Sequence, residues 1–205
     1  MLVMLMLVCM PLNAASFHVQ DQHGNSLAHA VIELAGSKQD TTKSQLPIAV
    51  MDQVDKQFAP QVLLIQQGQS VQFPNSDDIR HHVYSFSRAK PFELKLYAGK
   101  PKAPIPFEHA GVAVLGCNIH DSMVGYIYIA QSEHAVMTDL NGDAQLDADP
   151  DQSVYVWHSL SVNGAESRKK VTLSTLNSKE GAYILILNTA EPKVRDTFGD
   201  KFQLQ

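Results

Sequence analysis

Few stretches of the 205-residue chain sustain the three-and-four spacing of apolar positions that an amphipathic helix needs. What recurs instead are short β-branched and aromatic runs bounded by Gly, Pro, Asn and Asp, the pattern of strands separated by tight turns. Read this way, the pattern predicts strands at 17–20, 30–34, 48–51, 61–66, 70–73, 82–86, 92–96, 111–115, 124–130, 135–138, 154–158, 171–174 and 182–187. Asp21-Gln-His-Gly-Asn25 and Asn141-Gly142 have the Gly and Asn content of hairpin turns, where positive φ must be tolerated. Pro101, Pro104 and Pro106 make 99–107 a loop, because proline cannot donate to a strand ladder. The predicted fold class is all-β.

Thirteen strands exceed the needs of one small sandwich, so two β-domains are expected. Residues 17–34, FHVQDQHGNSLAHAVIEL, resemble the opening hairpin of the carboxypeptidase-regulatory-like β-sandwich. The turn that usually continues that fold is matched by Thr138-Asp-Leu-Asn-Gly-Asp-Ala-Gln-Leu146, more than a hundred residues later. The expectation is therefore a domain over 46–132 inserted into a second sandwich built from 16–45 and 133–205.

Composition narrows the function classes. A hydrophobic content of 44% is that of a globular protein, and a net charge of −5 argues against nucleic acid or an anionic membrane as partner. Arg168-Lys169-Lys170 is the one tight basic cluster and reads as a solvated loop. The first fifteen residues, MLVMLMLVCMPLNAA, are apolar, too short to span a bilayer and end in small residues, as a signal peptide does. Export to the periplasm with cleavage near Ala15 would remove Cys9 and leave Cys117 as the mature chain's single thiol. In an oxidising compartment such a thiol is expected to be buried, metal-bound or catalytic.

Cys117 lies in the run Gly116-Cys-Asn-Ile-His-Asp-Ser-Met-Val-Gly125, with His120 and Met123 at three-residue intervals, and His81-His82 stands far upstream. A thiolate, two imidazoles and a thioether are the ligand set of a trigonal His₂Cys copper site with a weak axial Met. C-x2-H-x2-M supplies three of these ligands from one loop between predicted strands, and the histidine pair supplies the fourth. A Cys–His nucleophile pair is the enzymatic competitor, but such pairs usually come from distant segments rather than one tight loop. Zinc is the competing metal, and the thioether favours copper. Asp139-x-Asn141-x-Asp143-x3-Asp147 has the spacing of a calcium loop, yet Ala144 replaces the loop's Gly and Pro150 its Glu, so a solvated hairpin is the better reading.

From Phe58-Ala-Pro through Val71-x-Phe73-Pro-Asn75 and His81-x-Val83 to Gly111-x5-Cys117-x2-His120-x2-Met123-x-Gly125, the chain resembles the type 1 copper cupredoxins, such as plastocyanin and amicyanin. The run HHVYSFS…GCNIHDSMVGYIYI is similar to periplasmic cupredoxin-domain proteins labelled methylamine utilization proteins. This resemblance, over about 48–130, implies a Greek-key sandwich with copper near one end. By the family's Asn-to-His interval, His81 takes the ligand position beside Cys117, His120 and Met123. His82 then stands where cupredoxins usually have an Asn that ties the two ligand loops together, and a register slip of one residue would make His82 the ligand instead. The implied function is one-electron transfer without catalysis, docking through an apolar edge for which Pro74, Ile119 and Val124 are candidates. The implied partners are a c-type cytochrome or an amine dehydrogenase. The alternative is a non-redox copper carrier or structural module, with the second sandwich as an adhesion or assembly surface.

Overall fold

The computed structural model describes residues 14–37, 46–101 and 103–191. Within them the chain is all-β, its helical content limited to a 3₁₀ turn at Leu173–Thr175. Residues 1–13 of the expected leader lie outside this description, and Ala14 and Ala15 open the first strand, Ala14–Asp21.

Strands from 49–130 pair only with one another. Five of them form a sheet in the order Val62–Gln66, Val124–Ala130, Gly111–Gly116, His81–Ser85, Phe92–Tyr97. The first pair is parallel and the others antiparallel. Ile105–Pro106, Ser70–Gln72 and Ala49–Val50 form a second, short sheet, and Asp52–Val54 pairs with Gln57–Ala59 as a hairpin. Val71, Phe73, Val83, Leu115, Ile127 and Ile129 fill one buried core among these elements, and Cys117 and Met123 belong to it.

The remaining strands, from 14–34 and 135–187, form two four-stranded sheets. One runs Asp143–Asp147, Ala14–Asp21, Ala182–Leu187, Ser178–Lys179; the other runs Ala135–Met137, Val31–Leu34, Ser153–Trp157, Lys169–Thr172. Phe17, Val19, Ile32, Leu146, Val156 and Leu185 make the core between them.

A third cluster joins the two sets of sheets, and strand alternation explains it. Ile127 and Ile129 face the first core, whereas Tyr128 and Ala130 on the opposite face meet Val31, Val62, Val112 and Trp157. Strands buried on both faces read as continuous apolar runs, as Val124–Ala130 does, and Val31–Leu34 is buried throughout although it carries Glu33. Trp157 packs against the rings of Tyr126 and Tyr128 at this junction.

Several local expectations are corrected. Within 99–107, Ile105 and Pro106 pair with Val71 and Ser70 at a sheet edge, where a proline's missing donor costs no ladder bond. The strand expected at 171–174 runs instead over Lys169–Thr172, with the chain tightening into the 3₁₀ turn after it. Asp143–Asp147 is a strand along Ala14–His18, and Asp139 Oδ1 accepts the Asn141 and Asp143 N–H groups that close its turn. Arg168 is not a solvated loop residue: its guanidinium stacks 4.7 Å from the Tyr155 ring and donates to Glu33 at 3.0 Å.

Candidate metal centre

The Gly111–Gly116 and Val124–Ala130 strands are antiparallel neighbours, with Gly116 opposite Val124, so residues 117–123 form a closed loop at one end of the sheet. The Met123 N–H donates to the His120 carbonyl at 3.0 Å, a turn that closes the second half of the loop. Its Cys117 and Met123 side chains point into the core at 4% and 0% exposure. Asn118 and Ile119 at its tip are exposed.

His81 begins the neighbouring strand. Burial alternates from there, with His81, Val83 and Ser85 inward and His82 and Tyr84 partly exposed on the outer face. The inward ring of His81 places Nδ1 3.7 Å from Cys117 Sγ, and His120 Nδ1 is 3.8 Å from the same sulfur. The two imidazoles lie with centroids 5.0 Å apart, and one ligand atom from each of His81, Cys117 and His120 falls within 4.8 Å of the others. Three donors set trigonally around one ion, at bond lengths of about 2.0 Å to nitrogen and 2.3 Å to sulfur, have N···S edges of about 3.8 Å. Donor types and spacing therefore fit a single transition-metal ion, and an Nδ1, Nδ1, Sγ set with a thioether in the adjoining core is the donor chemistry suited to copper.

His82 is turned away. Its Nε2 pairs with Glu93 Oε1 at 2.9 Å across the strand pair, so its hydrogen bond does not reach the 117–123 loop. The residue that organises the upstream loop is Asn75. Its side-chain N–H group donates to the carbonyls of Ile79 and Tyr97, both at 2.9 Å, and its Oδ1 accepts the Asp77 N–H at 3.1 Å. Tyr97 in turn donates its hydroxyl to the Phe73 carbonyl at 2.8 Å, and Gln53 donates to both the Tyr97 oxygen and the Pro74 carbonyl. Burial is the main reason that the Tyr97 phenol is pushed up to about 12, so it stays a neutral donor.

Asp77 contacts the site, and spacing along the sequence did not single it out. Its Oδ2 sits 2.6 Å from His81 Nε2. Burial opposes its charge, but hydrogen bonds from the Lys56 N–H, the His81 ring and the Asp55 N–H outweigh it and hold the carboxyl below the ordinary range. An ionised carboxylate only accepts, so the proton stays on Nε2 and the Nδ1 lone pair is left facing Cys117. His120 is also held below the ordinary histidine value, by burial first and then by the neighbouring His81. Neutral imidazole is the form that ligates a metal.

No protein-family model matches the chain, and no curated protein matches it. Solved structures do. A Cu-containing nitrite reductase from Thermus scotoductus shares 26% identity at a TM-score of 0.39, over 46% of this chain and 25% of the reductase, so the match spans a quarter of that enzyme's length. The chain is similar to cupredoxins. A purple cupredoxin from Nitrosopumilus maritimus shares 21% identity at a TM-score of 0.36, covering 40% of this chain and 99% of that one. A reduced amicyanin mutant shares 19% at a TM-score of 0.34, covering 48% and 97%.

Proposed function

We propose that this protein is a type 1 copper protein that passes single electrons between redox partners. His81, Cys117 and His120 would hold the ion and Met123 would be its weak axial ligand. The observation that carries the reading is the pair of ring nitrogens facing one buried thiol, at 3.7 Å and 3.8 Å. Bound copper would supply a one-electron couple, Cu(II)/Cu(I).

The surrounding residues give that couple what outer-sphere transfer needs. Cys117 is buried at the start of a loop closed by two paired strands, and His81 is buried on a strand and held by Asp77, so the ligand set need not rearrange when charge changes. Met123 and the core around it keep water away from the thiol side. His120 is only partly buried, and Ile119 beside it is 51% exposed, so the loop offers a short route to the surface through an apolar contact. A small, transient encounter surface of this kind suits a redox protein partner. Export to the periplasm is part of the same proposal and rests on the leader-like sequence of residues 1–15. We also propose that 46–132 forms a unit inserted into a sandwich of 16–45 and 133–205, a division supported by strand pairing on each side of it.

The copper-loaded protein is expected to show an intense thiolate-to-copper absorption band in the visible and a reversible one-electron voltammetric wave. Cys117→Ser should abolish the band. A colourless wild-type protein after copper loading would falsify the type 1 site; a coloured protein without a reversible wave would instead favour copper carriage.

A further inference from the structure

Only one nitrogen of His81 faces the thiol. The other is held by Asp77, whose side chain is 11% exposed against a fully buried imidazole. Asp77 is itself fixed from several directions. Its Oδ1 accepts the Asp55 N–H at 2.7 Å, its Oδ2 accepts the Lys56 N–H at 3.0 Å, and its own N–H is held by Asn75. Asp55 and Lys56 both have positive φ, 51° and 59°, at the centre of the hairpin between Asp52–Val54 and Gln57–Ala59. A carboxylate that pins a hairpin turn with both oxygens and an imidazole N–H with one of them has little freedom to relax away from the ring.

We propose that Asp77 is a positioning residue that sets the electron-donating strength of His81, and through it the balance between the oxidised and reduced metal ion. The proposal rests on the copper reading of the site. A carboxylate accepting the Nε2 proton fixes the tautomer and raises the basicity of the lone pair on Nδ1. The fixed negative charge adds to this in the same direction, because it acts through a largely water-free core and favours Cu(II) over Cu(I). The reaction it tunes is balanced as one electron in and none of the ligands' protons moved: Cu(II) plus an electron from the donor protein gives Cu(I), and the acceptor reverses it. Asp77 therefore poises the centre at a lower potential than the same ligands would have with a neutral partner on His81.

The test is the midpoint potential of the copper-loaded protein with Asp77→Asn. Loss of such a hydrogen-bonded partner typically costs about tenfold or more in metal affinity. If that loss falls on Cu(II) alone, the potential rises by about 59 mV for a one-electron couple. Asp77→Glu, which keeps the charge, should give a smaller rise than Asp77→Asn. Glu93→Gln removes a carboxylate from the outward ring of His82 and should leave the potential within a fraction of that shift, which separates a specific effect on His81 from general loss of negative charge. An unchanged or lowered potential in Asp77→Asn overturns the proposal, as does an equal rise in Glu93→Gln. Should Asp77→Asn not fold or not retain copper, the wild-type Cu(I) protein decides by nitrogen NMR: a protected, strongly downfield Nε2–H on His81 supports the carboxylate bond, and its absence overturns it. A wild-type protein with no charge-transfer band would defeat the copper reading itself, whereas a coloured protein whose potential ignores Asp77 defeats only this inference.

Discussion

Two adjacent histidines on a strand present their rings to opposite faces, and at positions 81 and 82 those faces are chemically different. The inner face holds Cys117 and His120, and the outer one holds Glu93 and solvent. His81→Ala is accordingly expected to destroy the copper absorption band, while His82→Ala keeps it with at most a small loss of stability; visible spectra of the two loaded variants give the answer. If His82→Ala alone bleaches the protein, the face assignment is wrong. The pair itself was legible from the sequence, as were Cys117, His120 and Met123, because ligand types at short spacing stand out. Which ring faces inward was not, since a slip of one residue exchanges the faces and the pairing with Phe92–Tyr97 that fixes it is itself irregular between His81 and Val83. Asp77 was invisible for a different reason. Asn75-Ser-Asp-Asp78 reads as an ordinary polar turn, and its contact to the ring depends on how Asn75 folds the loop back.

At the scale of the elements, two glycines flank the ligand loop and only one of them is confined. A methyl group at Gly125 would lie 2.8–2.9 Å from Phe58 atoms that include Cβ, on a side chain 3% exposed in the core. At Gly116 it would meet the outer end of the Tyr84 ring at 2.7 Å, and Tyr84 lies on the open face beside the exposed Phe86. Gly125→Ala is therefore expected to cost about 1–3 kcal/mol through overpacking. Gly116→Ala should cost less, because the Tyr84 ring can swing outward. Urea denaturation midpoints of the two variants check the order, and an equal loss would show that Tyr84 is as fixed as Phe58. Strand existence was largely readable here, with Val124–Ala130 and Ala182–Leu187 matching their expected limits. What escaped was short or polar. Asp52–Val54 and Gln57–Ala59 carry one buried residue each, so alternation has nothing to repeat on. Asp143-Ala-Gln-Leu-Asp147 is acidic enough to pass for a turn or a metal loop until its pairing with Ala14–His18 is seen.

For the whole molecule, the contact between the two sets of sheets turns on a buried carboxylate. Glu33 is 1% exposed, and it accepts hydrogen bonds from Tyr128 at 2.6 Å, from the N–H groups of Gln131 and Ser132 at 2.7 Å and 2.9 Å, and from Arg168 at 3.0 Å. Burial beside this charge pushes the Tyr128 hydroxyl well above the ordinary phenol range, so it remains a donor. Nothing in the sequence marks the network. Val31-Ile-Glu-Leu34 looks like a strand with one solvent-facing acid, and that reading fails because both faces of the strand are covered. Cutting away one member of a buried ion pair leaves the other groups unsatisfied and costs about 3–5 kcal/mol. Glu33→Ala would leave a buried phenol and two backbone N–H groups without their acceptor and a partly exposed guanidinium without its ion pair, and should therefore loosen the junction before either core. The single tryptophan, Trp157, lies in that junction and reports on it by fluorescence, whereas copper colour reports on the 117–123 loop. In the wild-type protein the two signals should be lost together as urea rises, because the shared junction couples the two sets of sheets. In Glu33→Ala the fluorescence change should come at a clearly lower urea concentration than the loss of colour. Coincident transitions at an unchanged midpoint would mean that the apolar contacts of Trp157, Tyr128 and Val31 hold the two sets of sheets together without the carboxylate.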